Sequence, residues 1–195
     1  MSQSQNPNTL QIIILDTETT GLHNQQPLEV SWLHVALTVS SDGLVLAKPA
    51  VLSSWSSYFN VTVPITPQAQ AVHGISKAKV AGEPVYKSAS QLKLPDTNIL
   101  CGFNIAYDRR SLHGTLDHMT DLCILKLYRK LYPELPSYKL TSLIQTYFPV
   151  EAETLLKVAH SSLGDCKLTL LLLDKVLTDF SFNSLLEVLN ITSNS

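Results

Sequence analysis

Two acidic side chains stand directly after the most apolar segment of the chain. The segment Gln11–Leu15 (QIIIL) is a β-branched run of the kind that forms a strand buried on both faces, and Asp16 and Glu18 follow it. Side chains spaced by two residues point to the same side of an extended backbone, so these carboxylates converge. Converging carboxylates repel each other unless water or a cation compensates them, and oxygen ligands suit Mg²⁺ or Mn²⁺. A solvated turn built on the following Thr-Thr-Gly is the alternative.

Two further polar clusters lie later in the chain. In the string CGFNIAYDRRSL, a strand delivers Asn104 and a helix places Asp108 one turn later on the same face. The alternatives are a helix cap for Asn104 and an ion pair with Arg109 for Asp108. In AHSSLGDCK, His160 lies on a loop before an apolar helix whose first turn holds Asp165. A surface histidine and an acid that complements the helix dipole are the alternatives there.

The four acids and the histidine have a common chemical use when they are taken together. Four carboxylates can hold two divalent ions roughly 3.5 to 4 Å apart, one activating the attacking water and the other stabilising the leaving oxygen of a phosphodiester. A histidine can take a proton from that water at neutral pH, a role worth about 10² to 10⁴ in rate. The set therefore predicts metal-dependent phosphodiester hydrolysis.

The pattern of strands and helices predicts how these groups are positioned. The segments Glu29–Val39 and Leu44–Ala50 flank a Ser-Asp-Gly turn and predict a β-hairpin, and Asn98–Phe103 predicts another buried strand. The stretch Leu52–Thr66 has no helical period and is expected to be a long excursion. Helices are expected at Pro67–His73, Ile105–Leu116, Cys123–Leu131, Tyr138–Phe148 and Ser162–Phe180, the last with capping-box-like spacing at Ser162 and Asp165. This order predicts an α/β fold with a mixed central β-sheet, an antiparallel hairpin plus parallel strands, flanked by helices.

Length and composition limit the class of protein. The 195 residues suit a single domain, predicted at 10–192 after a flexible tail at 1–9, and 45% hydrophobic residues exclude disorder as the main state. A polyanion would have to meet a local basic patch or bound cations, because the net charge is -2. No signal peptide and no apolar run of the ~18 residues that a membrane span needs is present, so we expect a cytoplasmic protein without membrane contact.

Several side chains are candidates for contact with a polyanion. Trp55 and Tyr58, in the polar stretch, are candidates for stacking on bases, whereas Trp32 is expected in the core. The candidates for a basic patch are Arg109, Arg110, Lys126, Arg129, Lys130 and Lys139. A solvated helix face explains the basic residues equally well.

The three clusters resemble the motifs of a known family. The strings IIILDTETTGL, GFNIAYDRRSL and HSSLGD are similar to the three motifs of the DEDDh (DnaQ-like) 3′–5′ exonucleases, and the step from His160 to Asp165 matches their histidine subclass. The resemblance runs from about Ile12 to Leu177 and includes ITPQAQAVHGIS and SYKLTSL. Within the family, YDRR, LYRKLYP and DCKLTLLLL look most similar to exodeoxyribonuclease X-like proteins. One departure is Phe103, where the family often has histidine.

The resemblance implies a ribonuclease H-like fold and a 3′–5′ exonuclease that releases nucleoside 5′-monophosphates from DNA with two Mg²⁺ or Mn²⁺ ions per site. The implied metal ligands are Asp16, Glu18, Asp108 and Asp165, with Asp16 bridging both ions and His160 as the general base. The residues implied to contact the terminal nucleotide are Thr19, Gly21, Leu22, His73 and Ile75, and Asn104 is implied to support the second motif.

Substrate and partners stay open at this point. Single-stranded DNA 3′ ends are the expected substrate, with DNA repair as the process. An RNA exonuclease or a polymerase proofreading subunit is the alternative, because two-metal chemistry is indifferent to the sugar. A non-catalytic nucleic-acid-binding or adaptor module on the same fold is the alternative from another class, and such a module should lose ligands that this chain keeps. The family contains monomers and dimers, so a homodimer is also open.

Overall fold

A five-stranded mixed sheet forms the centre of the computed structural model, which describes residues 8–23, 25–39, 47–180 and 187. The strands are β1 (Asn8–Thr19), β2 (Pro27–Val39), β3 (Ala50–Tyr58), β4 (Ile99–Gly102) and β5 (Thr120–Cys123), in the spatial order β3-β2-β1-β4-β5. The first three strands pair antiparallel, whereas β4 runs parallel to β1 and to β5. The predicted mixed sheet, with an antiparallel hairpin followed by parallel strands, is confirmed.

Helices cover both faces of this sheet. Their bounds are α1 (Pro67–His73), α2 (Lys77–Val80), α3 (Ile105–Ser111), α4 (Ile124–Leu131), α5 (Leu140–Tyr147), α6 (Ala152–Leu155) and α7 (Ser162–Asp179). Short 3-10 turns lie at Ala89–Leu92 and Leu156–Val158. Within the described ranges, no helix combines the length and the apolarity needed to cross a bilayer.

The apolar run at the start of β1 explains why both faces are covered. Ile12 and Ile14 are buried in a core that includes Leu168 of α7, whereas Ile13 is buried on the opposite face with Ile105 of α3. Alternate side chains of a strand point to opposite faces, so a continuous apolar run must be packed on both sides. Burial of one such side chain contributes about 1.5 to 3 kcal/mol. β1 is thereby fixed between the two helices that carry the other polar clusters.

The predicted excursion over Leu52–Thr66 is wrong in its first half, because β3 occupies Ala50–Tyr58. β3 is an edge strand whose side chains are mostly exposed, so its sequence lacks the hydrophobic alternation that marks a half-buried strand. Pairing with β2, which no local pattern reveals, makes it a strand. The predicted strand Leu44–Ala50 is wrong over residues 47–49, because β3 begins only at Ala50, and residues 41–46 of this strand and its turn lie outside the described residues.

Several other boundaries differ from the predictions. β5 replaces the expected helix start at Cys123, and α4 begins one residue later. α3 ends at Ser111 rather than at Leu116. β1 continues to Thr19, so the first acidic pair lies inside the strand rather than after it. β1 also begins at Asn8, within the predicted tail, of which residues 1–7 lie outside the described part of the chain.

Candidate active site

The end of β1 presents Asp16 and Glu18 on the face of the sheet that α7 covers. Each of these two side chains and Asp165 of α7 has a carboxylate oxygen within 4.8 Å of the others. In the antiparallel register, Asp16 lies opposite Ser31 and Glu18 lies opposite Glu29. The predicted convergence of the first acidic pair therefore occurs, and the third motif joins it.

Asp108 reaches the same region from α3. Its side chain is 3% exposed, and its Oδ1 accepts hydrogen bonds from the Thr17 backbone N–H at 3.0 Å and from Thr17 Oγ1 at 2.9 Å. The Thr17 hydroxyl also lies 3.0 Å from Ser111 Oγ. The ion pair considered for Asp108 is not formed, because Arg109 instead donates from Nε to Asp121 at 2.7 Å. β1 and α3 are thus joined through the acid itself.

One cavity of about 200 Å³ gathers the predicted catalytic set. The predicted residues that line it are Asp16, Glu18, Asp108, His160, Asp165 and Asn104. The other lining residues are Thr17, Val72, Phe103, Tyr107 and Leu140. Asn104 occupies the position just before α3, and its side chain makes no capping hydrogen bond. Residues separated by up to 149 positions in sequence, from Asp16 to Asp165, therefore share one concave site.

The loop before α7 places His160 at this cavity. His160 has a φ of 65°, in the left-handed region that non-glycine residues rarely adopt, and its backbone N–H donates to Asp165 Oδ1 at 3.1 Å. The N-cap of α7 is Ser161, whose Oγ accepts from the Gly164 N–H at 3.2 Å. The cap predicted at Ser162 is therefore wrong by one residue. The imidazole itself is on an exposed residue beside the carboxylates.

The acidic side chains raise one another's pKa values. Burial raises the pKa of Asp16 well above its ordinary range, and the neighbouring carboxylates Asp108 and Asp165 raise it further. Burial, followed by the charges of Asp165 and Glu29, raises the pKa of Glu18 to about 8. Each value reflects the cost of placing several negative charges in a region with little water.

Hydrogen bonds oppose part of this effect at the other two acids. Burial raises the pKa of Asp108 to about 7, although the two donors of Thr17 act in the opposite direction. Burial also raises the pKa of Asp165, and the N–H and charge of His160 lower it. Burial therefore disfavours a fully ionised cluster, and bound protons or cations would relieve this cost.

The donor set fits hard divalent cations. Four carboxylates on β1, α3 and α7 face one cavity, and its described lining contains no lysine or arginine that would neutralise them. Carboxylate oxygens are the ligands that Mg²⁺ and Mn²⁺ prefer in proteins. Cations bound here would offset the burial and the mutual repulsion of these negative charges.

A second cavity, of about 330 Å³, adjoins the carboxylates. It shares Thr17, Glu18, Val72 and Tyr107 with the first. The predicted nucleotide contacts that line it are Thr19, Gly21, Leu22 and His73. Ile75 is 2% exposed and packs with Leu28, Val61 and Val80 outside this lining, so its contact with a nucleotide stays a prediction.

His73 joins α1 to β1 through both of its ring nitrogens. Nδ1 accepts from the Ile75 backbone N–H at 3.0 Å, and Nε2 lies 3.1 Å from the carbonyl oxygen of Thr19. Because a carbonyl can only accept, Nε2 carries the proton and the ring is neutral. Burial lowers the pKa of His73, which agrees with this tautomer. With both nitrogens engaged, His73 offers the cavity a ring surface rather than a proton donor.

Tyr107, which lines the site, and Glu29, which lies beside it, are among the residues that the sequence predictions do not include. Tyr107 lines both cavities, and its hydroxyl contacts Thr19 Oγ1 and donates to the carbonyl of Gly21 at 3.3 Å. Glu29 is 6% exposed and contributes charge to the acidic cluster. A charged residue at the start of a predicted apolar strand was the available signal for Glu29. The position of Tyr107 beside Asp108 was the signal for Tyr107.

Some candidates for nucleic-acid contact have structural partners instead. Trp55 lies in β3 and stacks on Trp32 with ring centroids 6.2 Å apart, so the predicted loop position is wrong. Arg109 is engaged with Asp121. Arg110 is exposed and lies 5.8 Å from the ring of Tyr107, near the second cavity.

Comparisons with known proteins show the family and the fold of the chain. Residues 13–173 match the family model RNase_T, described as Exonuclease, and no curated protein matches the chain. The structure of exonuclease X in complex with 5′ overhanging duplex DNA superposes with a TM-score of 0.60 at 23% identity, over 91% of this chain and 99% of that one. E. coli exonuclease I in complex with a dT13 oligonucleotide gives a TM-score of 0.58 at 18% identity, over 87% of this chain and 41% of that one. These structural matches show the ribonuclease H-like fold, and the family match shows that the chain belongs to the RNase_T family of DnaQ-like 3′–5′ exonucleases.

Proposed function

We propose that this exonuclease removes nucleoside 5′-monophosphates from the 3′ ends of single-stranded DNA. The observation that carries the proposal is the single cavity in which Asp16, Glu18, Asp108, His160 and Asp165 meet. DNA is favoured because the superposed structures contain a 5′ overhanging duplex DNA and a dT13 oligonucleotide. The adaptor alternative is disfavoured, because every acid and the histidine are kept and assembled.

Two divalent ions, Mg²⁺ or Mn²⁺, are the proposed cofactors. The four acids Asp16, Glu18, Asp108 and Asp165 would hold them. When bound, the ions stabilise the attacking and leaving oxygens of an in-line displacement. The hydrogen bonds from Thr17 hold the Asp108 carboxylate in one orientation before any ion arrives.

His160 is the proposed general base. Its loop places the imidazole beside the carboxylates, where it accepts a proton as the water oxygen bonds to phosphorus. The bond from phosphorus to the 3′ oxygen of the preceding nucleotide breaks, and that oxygen takes a proton from solvent. The products are a nucleoside 5′-monophosphate and a strand with a new 3′ hydroxyl.

The second cavity supports cleavage from an end rather than within a strand. It lies directly beside the carboxylates and shares Glu18 and Tyr107 with their cavity. A volume of about 330 Å³ is small for more than one nucleotide. Leu22, which is 78% exposed, forms part of its wall and offers an apolar surface to a base. We infer that the terminal nucleotide occupies this cavity.

Digestion of matched DNA and RNA oligonucleotides tests the substrate. Each strand carries a 5′ label and is incubated with Mg²⁺ or Mn²⁺, with EDTA as the control. We expect a metal-dependent ladder that shortens from the 3′ end, faster on DNA, with nucleoside 5′-monophosphates as the small products. Faster digestion of RNA would replace the DNA assignment with the RNA alternative, and release of 3′-monophosphates would contradict the displacement described above.

The remaining expectations stay predictions. A cytoplasmic location, a homodimer, a role in DNA repair and a polymerase partner each require a separate measurement.

A further inference from the structure

We infer that Glu29 is a positioning residue for the exonuclease reaction, whose buried carboxylate fixes the first turn of α7 and thereby the positions of Asp165 and His160. The inference rests on the proposed function. It assigns a task to an acid that lies beside the catalytic carboxylates and is not among the residues that line their cavity.

The contact that carries the inference joins β2 to the start of α7. Glu29 Oε2 accepts a hydrogen bond of 3.0 Å from the backbone N–H of Ser162, the first residue of α7. N–H groups in the first turn of a helix have no partner within the helix, and a negative charge there is favourable. Ser162 is fully buried, so water cannot replace Glu29 as its acceptor without a local rearrangement.

A second hydrogen bond joins Ser162 to the sheet. The hydroxyls of Ser162 and Ser31 lie 2.6 Å apart, and Ser31 Oγ donates to Ser56 Oγ at 2.8 Å. Because the Ser31 hydroxyl donates its hydrogen bond to Ser56 of β3, it accepts a hydrogen bond from the Ser162 hydroxyl. Through its N–H and its hydroxyl, Ser162 therefore holds α7 to β2 at two points, three residues before Asp165.

The electrostatic setting shows that an acid at position 29 carries a cost. Glu29 faces Glu18 across the β1–β2 pair, and its charge acts unfavourably on Glu18 and Asp165. An acid at this place adds repulsion to a cluster that already contains four carboxylates. The hydrogen bond from the Ser162 N–H to Glu29, which positions the third motif, offsets this cost.

The geometry distinguishes this role from that of a metal ligand. A carboxylate ligand loses much of its affinity for a divalent ion when an amide replaces it, whereas the proposed role requires only an acceptor oxygen at the reach of a glutamate side chain. Glu29→Gln keeps an oxygen at this reach and removes the charge. Glu29→Asp keeps the charge and withdraws the oxygen by one methylene group. The two substitutions therefore make opposite predictions.

The experiment compares kcat and KM of the full chain on 5′-labelled single-stranded DNA with Mg²⁺, for wild type, Glu29→Gln, Glu29→Asp and the surface control Glu83→Gln. We expect Glu29→Asp to lower kcat by about tenfold or more with little change in KM, because a misplaced catalytic group affects the chemical step. Glu29→Gln and Glu83→Gln should stay within about threefold of wild type, since hydrogen bonding at Ser162 is kept in both.

Amide hydrogen exchange at Ser162 supplies a readout besides activity. Exchange at this amide should accelerate in Glu29→Asp at an unchanged unfolding temperature, and it should stay slow in Glu29→Gln. Equal kcat in Glu29→Asp and wild type, or loss of both activity and Mn²⁺ binding in Glu29→Gln, would overturn the inference. An inactive wild type with slow exchange at Ser162 would instead contradict the proposed function and leave the contact established.

Discussion

The acidic side chains of the cavity lower the stability of the folded protein when no ion is bound. The carboxylates of Asp16, Glu18, Asp108 and Asp165 lie close together, and burial raises the pKa of each. The same carboxylate oxygens are suitable ligands for divalent ions, whose positive charge would offset the repulsion. Their side chains therefore carry a stability cost in the absence of ions, and ion binding should remove it.

The stability of the ion-free protein should fall as the pH rises. The pKa of Glu18 is raised from 4.5 to about 8, and that of Asp108 from 3.8 to about 7. Between these limits the folded state holds protons that the unfolded chain has released, so a rise in pH favours unfolding. Urea unfolding in EDTA should give a lower free energy at pH 8 than at pH 5.

Ion binding supplies the matched control for this pH effect. Mg²⁺ or Mn²⁺ should raise the free energy of unfolding at pH 8 by more than at pH 5, because deprotonated carboxylates bind the ions. A free energy that is flat or increasing over this range in EDTA would show that the acids do not hold protons more tightly in the folded protein than in the unfolded chain.

The role of His160 can be separated from that of the ligands. His160→Gln should lower the rate of DNA digestion by about 10² to 10⁴ and leave Mn²⁺ affinity unchanged, since only the proton acceptor is removed. His118→Gln, at another exposed histidine, should behave as wild type. Full activity in His160→Gln with normal Mn²⁺ binding would remove the general-base assignment.

The strands and helices around the cavity fix the positions of the catalytic side chains at their ends. β1 is buried between α7 and α3, so its terminal acids face groups delivered from both sides of the sheet. The loop before α7 is folded so closely on the helix that a Cβ at Gly164 would lie 1.8 Å from the carbonyl oxygen of Val158. Packing of the loop against the helix thus depends on the absence of a side chain at this position.

Gly164→Ala should displace the loop that carries His160. The new methyl group meets backbone rather than a flexible side chain, and such overpacking typically costs about 1 to 3 kcal/mol. We expect a lower unfolding temperature and a reduced rate of digestion. Gly82→Ala is the matched control, because a Cβ there meets nothing within 4 Å. Equal activity and stability in Gly164→Ala and wild type would show that the loop is not held against α7.

At the scale of the whole molecule, the sequence predicts those parts of the fold in which a local hydrophobic pattern adjoins a catalytic motif. The continuous apolar run before Asp16 marks a strand and the apolar face after His160 marks a helix, and the first and third motifs lie at these two elements, with the second at α3. β3 and the acceptor role of Glu29 were not predictable, since an exposed edge strand has no hydrophobic period and the partner of Glu29 is Ser162, 133 residues later. Pairing between distant segments decides both features.

The assembly of distant residues into one exonuclease site is tested most directly by 3′-end digestion with wild type, Asp165→Asn and the exposed control Asp96→Asn. A single-stranded DNA with a 5′ label is incubated with each protein in Mg²⁺, and the fold of each is checked by thermal unfolding. We expect wild type and Asp96→Asn to produce a ladder that shortens from the 3′ end, and folded Asp165→Asn to produce none. Digestion by Asp165→Asn at the wild-type rate, or shortening from the 5′ end, would contradict the assignment of this cavity as the active site.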